Sequence, residues 1–114
     1  MEFNKTNEGE INMKKFVYLG IATTLIVNSS IALAGDAAAG KTKSQACAGC
    51  HGMNGTSNNP MYPNLAGQKE NYLEKAIKDY RDGKRNDPMM SSMVKGLSDA
   101  DAADLAAFYT KQKP

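Results

Sequence analysis

Tryptophan is absent from this chain, histidine occurs once and cysteine twice, and each scarcity closes off an explanation. Two cysteines cannot build a disulfide framework; one short bridge or one cofactor attachment is the most they allow. A structural zinc site needs four ligands, and Cys47, Cys50 and His51 leave it incomplete. Aromatic residues make up 7% of the 114 residues, so a small domain cut from this chain has difficulty building a sufficient core from side chains alone. Charge of one sign is also lacking: 14 Lys and Arg stand against 12 Asp and Glu, and the net +2 carries no footprint for nucleic acid. No strand alternation appears, which removes the βαβ setting that thioredoxin-like exchange requires, and there is no internal repeat.

What is present begins with an address. Residues 1–12 are polar, without apolar period, and read as a disordered extension. From Met13 the pattern changes to a basic pair, Lys14 and Lys15, an apolar run from Phe16 to Val27, and Ala32-Leu33-Ala34 as a small-x-small cleavage site. Residues 13–34 therefore read as a secretory signal peptide. The apolar run is short for a spanning helix and is broken by Asn28, Ser29 and Ser30, so the expectation is cleavage into the periplasm without stable membrane insertion. An uncleaved signal would instead leave an anchor. One domain, residues 35–114, remains.

Within it stands Cys47-Ala48-Gly49-Cys50-His51. Two thiols spaced by two residues, with an imidazole directly after, form the attachment pattern for a covalent c-type haem. Haem carries two vinyl groups on neighbouring edges, so one turn of chain can close a thioether to each, and the adjacent histidine then meets the iron as proximal ligand. Export fits, because c-type haem is attached outside the cytoplasm.

The rest of the domain reads as helices and loops. Asp36 to about Ala46 is expected as a first helix, with the Asp36 carboxylate at its amino end and Gly40 as a plausible crossing point. Residues 52–67, rich in Gly, Asn, Ser and Pro, read as a loop over the proximal side of the haem, with Met61, Tyr62 and Leu65 giving apolar contacts. Lys69 to Asp82 is amphipathic through Tyr72, Leu73, Ala76, Ile77 and Tyr80. Lys84 to Gly96 returns to loop character around Pro88, and Ser98 to Lys111 forms the last helix, with Ser98 and Asp101 as a capping box. Its apolar face is Ala102, Leu105, Phe108 and Tyr109.

With no second histidine, the sixth iron position falls to methionine. Met53 lies too near the attachment motif and Met61 sits in the proximal loop, which leaves Met89, Met90 and Met93; spacing does not choose among them.

The domain resembles the small bacterial class I cytochromes c, over essentially all of residues 35–112. The resemblance rests on Gly35-Asp36 and Gly40-Lys41 before the attachment motif, Pro63-Asn64-Leu65-Ala66-Gly67-Gln68, Tyr72-Leu73, Asp87-Pro88-Met89-Met90, Leu97-Ser98-Asp99 and Leu105-Ala106-Ala107-Phe108-Tyr109. It implies an all-α fold, three main helices plus loops wrapped around one haem. It implies Met90 as the axial ligand, at the family's spacing before Leu97, with Met89 in reserve and Met93 as packing. Pro63 matches the proline whose carbonyl orients the proximal His51, Gly40 and Phe108 match the crossing of first and last helices, and Arg85 with Asn86 stand where a haem propionate could be met. The function implied is a periplasmic one-electron carrier, not an enzyme, meeting redox partners such as a respiratory reductase or terminal oxidase. The alternatives are an electron-entry subunit of a larger oxidoreductase, or a peroxidase-like or ligand-binding protein with a displaceable Met90.

Overall fold

The computed structural model describes residues 34–114, and every regular element in them is helical: α1 (Ala37–Lys43), α2 (Gln45–His51), α3 (Glu70–Arg81), α4 (Pro88–Val94) and α5 (Asp99–Thr110). The extension and almost all of the signal peptide, residues 1–33, lie outside the described residues. No helix among the described residues is long and apolar enough to cross a membrane.

The all-α expectation holds, but three main helices become five, for two local reasons. The first is Ser44. Its side chain is buried and donates to the Lys41 carbonyl at 2.7 Å, while Cys47 N–H reaches back only three residues to the Ser44 carbonyl at 2.9 Å. A serine bonded to the preceding turn competes with the regular ladder, so the expected helix from Asp36 splits at Ser44 and the attachment motif lies on a short helix of its own. The second is Asp87-Pro88. Residues 84–96 were expected as loop, yet the Asp87 carboxylate accepts from Met89 N–H at 3.0 Å and Met90 N–H at 3.1 Å, and Pro88 opens α4. Proline at the first helical position lacks only a donor that would go unmet there, and an aspartate cap meets two others.

α5 is the centre of the domain. Its capping box forms as expected, Ser98 N–H donating to the Asp101 carboxylate at 2.9 Å and Asp101 N–H to the Ser98 hydroxyl at 3.0 Å. The buried face is wider than the expected stripe, because Ala106 and Ala107 are buried with Ala102, Leu105, Phe108 and Tyr109. α1 packs against one side of α5 and α3 against another, so small side chains are needed on more than one face.

The α1 crossing is at Gly40. A Cβ there would lie 1.9 Å from the Asp104 carbonyl oxygen and 2.9 Å from Phe108 Cβ. Alanine gains about 1 kcal/mol of helix propensity over glycine, but overpacking costs about 1–3 kcal/mol and here the obstacle is backbone. Gly40→Ala is therefore expected to lower the urea midpoint; an unchanged or higher midpoint would show that α1 can shift off α5 freely.

Charge also ties these helices. Lys43 Nζ sits 2.6 Å from both Asp101 and Asp104, and Asp104 accepts the Asp36 N–H at 2.7 Å. The Lys43 ammonium, followed by the Ser98 N–H, holds the Asp101 carboxyl at about 2, below the ordinary 3.8. A depressed carboxylate contributes stability that is present above its unfolded value and lost as pH falls through its folded one. The melting temperature is expected to fall between about pH 4 and pH 2, and Asp101→Asn to flatten that part of the profile. Equal slopes in both proteins would remove Asp101 from the account.

Candidate functional site

Cys47, Cys50 and His51 occupy positions i, i+3 and i+4 of α2, which places all three on one side of the helix. Cys47 is half-buried and packs against the core cluster of Leu73, Leu105, Ala106, Phe108 and Tyr109, whereas Cys50 is exposed, and the two sulfurs are not bridged. Burial pushes the Cys47 thiol up, outweighing the opposite pull of the Tyr109 hydroxyl.

His51 is buried at 6% exposure, an uncommon setting for a polar ring. Its Nδ1 lies 2.8 Å from the Pro63 carbonyl oxygen. A carbonyl can only accept, so Nδ1 carries the proton and Nε2 keeps its lone pair for another use. Tyr62 packs edge-on to the ring at 6.4 Å between centroids.

The loop that delivers Pro63 is folded back on itself. Leu65 and Ala66 N–H both donate to the Gly55 carbonyl, at 2.7 and 3.0 Å, Ser57 N–H donates to the Asn64 side chain at 2.7 Å, and Gly67 N–H donates to the Tyr109 carbonyl at 2.9 Å. Gly55 is buried with φ +81° against Tyr109, whose Cδ1 would lie 2.7 Å from any Cβ. A left-handed backbone pressed on an aromatic ring admits glycine alone. The chain is thereby closed into a compact loop with its ends tied, and Pro63 is held two residues before the closing bond of Leu65 to Gly55.

The other singled-out residues separate. Met61 is 81% exposed, while Tyr62 and Leu65 pack inward. Met89 and Met93, four residues apart on α4, are more than half exposed, while Met90 is partly buried and in line with Val94, which is buried. Tyr72, on the amphipathic stripe, is half exposed; its hydroxyl accepts from Arg85 at 3.4 Å, and the Arg85 guanidinium lies 4.7 Å over the Tyr80 ring. Asn86 is exposed.

Two residues near the motif, Tyr109 and Ser44, are not singled out by the sequence. Tyr109, read as one more apolar position, buries a hydroxyl with no hydrogen-bond partner, and Cys47 and Ser44 stand beside it. Its signal was a polar-tipped aromatic in a helix otherwise faced with Ala, Leu and Phe.

The residues present suit a covalently held haem. Two unbridged sulfurs lie on one helical face, and the adjacent imidazole has one nitrogen committed and the other available. Among the described residues no three His, Cys, Asp or Glu side chains gather as a metal-binding group, so a protein-only zinc site is not formed there.

A sequence model of the cytochrome c family matches residues 37–112. Cytochrome c-554(548) of Halomonas halodenitrificans is 53% identical over 83 residues, covering 70% of this chain and 100% of that protein. Cytochrome c4 of Pseudomonas aeruginosa is 50% identical over 80 residues, covering 70% of this chain and 40% of its own length. The crystal structure of reduced recombinant cytochrome c4 from Pseudomonas stutzeri superposes with a TM-score of 0.67 at 42% identity, over 70% of this chain and 47% of that one. The chain thus spans the whole of one relative and about half or less of the c4 chains.

Proposed function

The chain belongs to the cytochrome c family of electron-transfer proteins, and on that premise we propose that it carries single electrons between redox partners in the periplasm through one covalently attached haem. The observation that carries the reading is the committed imidazole: His51 is buried, its Nδ1 proton is spent on Pro63, and its other nitrogen is available beside two unbridged thiols.

Bound haem supplies the redox chemistry, a one-electron iron couple. The protein's share is to hold and tune it. Cys47 and Cys50 would each add S–H across a vinyl group, with no net redox change, and so fix the ring to α2. His51 Nε2 and the Met90 sulfur would hold the iron, with the Pro63 carbonyl fixing the imidazole's orientation and raising its basicity. Met90 is chosen for its spacing before Leu97; it is partly buried and in line with Val94, whereas Met89 and Met93 are more than half exposed. Histidine and methionine together raise the potential and favour electron transfer over oxygen chemistry.

The mature unit in this reading is residues 35–114, released by cleavage of a signal peptide over 13–34. Partners such as a respiratory reductase or a terminal oxidase would meet it through a small, transient interface. A chain docked as an electron-entry subunit would use the same site and would copurify with its enzyme.

Voltammetry of the exported protein, with carbon monoxide added to the reduced form, tests the proposal. A reversible one-electron wave and no CO binding are expected. Ready CO binding by the wild type would point to an open iron position and to ligand chemistry.

A further inference from the structure

Tyr109 is 2% exposed, and its hydroxyl makes no hydrogen bond among the described residues. Buried tyrosine hydroxyls usually find a partner; an unmet one lowers the folding equilibrium constant by roughly tenfold or more. The ring cannot swing out to water, since Phe108 packs on it at 5.0 Å between centroids and Gly55 closes its edge. Cys47 packs against the core cluster that contains Tyr109, and among the described residues Cys47 and Ser44 are the polar side chains that bear on its hydroxyl.

Ser44 donates its own proton to the Lys41 carbonyl at 2.7 Å. Cys47 is the more telling neighbour, because attachment changes its hydrogen-bonding character. A thiol has a proton to give, whereas a thioether sulfur has none and can only accept. Joining haem to Cys47 therefore puts a pure acceptor next to an unspent O–H donor.

We propose that the Tyr109 hydroxyl donates a hydrogen bond to the Cys47 sulfur once that sulfur carries the haem, which makes Tyr109 a positioning residue for the inner of the two attachment points. The proposal rests on the covalent-haem reading. It also separates the two sulfurs. Cys50 is exposed and has water for a partner, while Cys47 is half-buried and packed on the core, so a protein donor matters there. A donor on the sulfur draws electron density away from the ring side of the bond, which favours the reduced state.

The test uses the exported full chain as wild type, Tyr109→Phe and Ser44→Ala. Haem covalently bound is read first, by the mass of the denatured protein. Its absence from the wild type would overturn the haem reading and the proposal with it. With haem attached, resonance Raman, reduction potential and urea unfolding are compared. Tyr109→Phe keeps the ring and removes only the hydroxyl. It is expected to move the C–S stretching band, to lower the potential and to lower the folding constant roughly fivefold or more; Ser44→Ala leaves the band in place. An unmoved band with a raised folding constant in Tyr109→Phe would overturn the proposal, since that is how an orphaned donor in a core behaves. A band moved by Ser44→Ala as much as by Tyr109→Phe would overturn it too.

Discussion

Replacing Cys47 and Cys50 together by alanine is expected to give a chain that is exported without haem and does not hold its fold. The argument is one of scale. The fully buried large side chains are Tyr109 and Leu105, and much of the remaining buried apolar surface is alanine, Ala66, Ala102, Ala106 and Ala107. Ordering each residue costs about 1–2 kcal/mol of backbone entropy, and a core in a domain of this size rarely leaves more than about 3–5 kcal/mol in hand. Removing a large apolar group that packs against such a core takes away more than that margin. A haem stain and a far-ultraviolet circular dichroism melt are the measurements: no stain and no cooperative transition are expected. Single replacements leave one thioether and should fall between. A double variant that melted cooperatively at the wild-type temperature would show that helix packing around α5 suffices without the cofactor.

Met90→Ala should leave the protein folded and coloured but change its chemistry. The axial ligand is a main determinant of haem potential, which ligand choice sets over about 0.8 V. Loss of a methionine ligand is expected to lower the potential by on the order of tenths of a volt and to let the reduced form bind CO. Met89→Ala and Met93→Ala, whose side chains are more than half exposed, should do neither. Voltammetry of the three variants separates them, and a large drop in Met89→Ala or Met93→Ala with none in Met90→Ala would reassign the ligand.

What could be read in the sequence follows from how local each signal is. The attachment motif needs only five consecutive residues, and the Asp36 cap, the Ser98–Asp101 capping box and the Gly40 crossing are likewise short-range or pattern-borne; the structure places the cap, the capping box and the crossing as expected. α4 was missed because Asp87-Pro88 reads equally as a turn and as a helix start, and only the carboxylate's bonds to Met89 and Met90 decide. The break at Ser44 depends on a side chain folding back on Lys41, which propensity does not report. Tyr109 escaped because its significance is tertiary: a polar-tipped aromatic on an apolar helix face does not by itself show that its hydroxyl is buried without a hydrogen-bond partner beside Cys47.

The far-red methionine-to-iron charge-transfer band of the oxidised protein tests the proposed His51/Met90 axis most directly. The account predicts the band in wild type, Met89→Ala and Met93→Ala and its disappearance in Met90→Ala alone. A wild-type spectrum without the band, or a band that survives Met90→Ala, would contradict it.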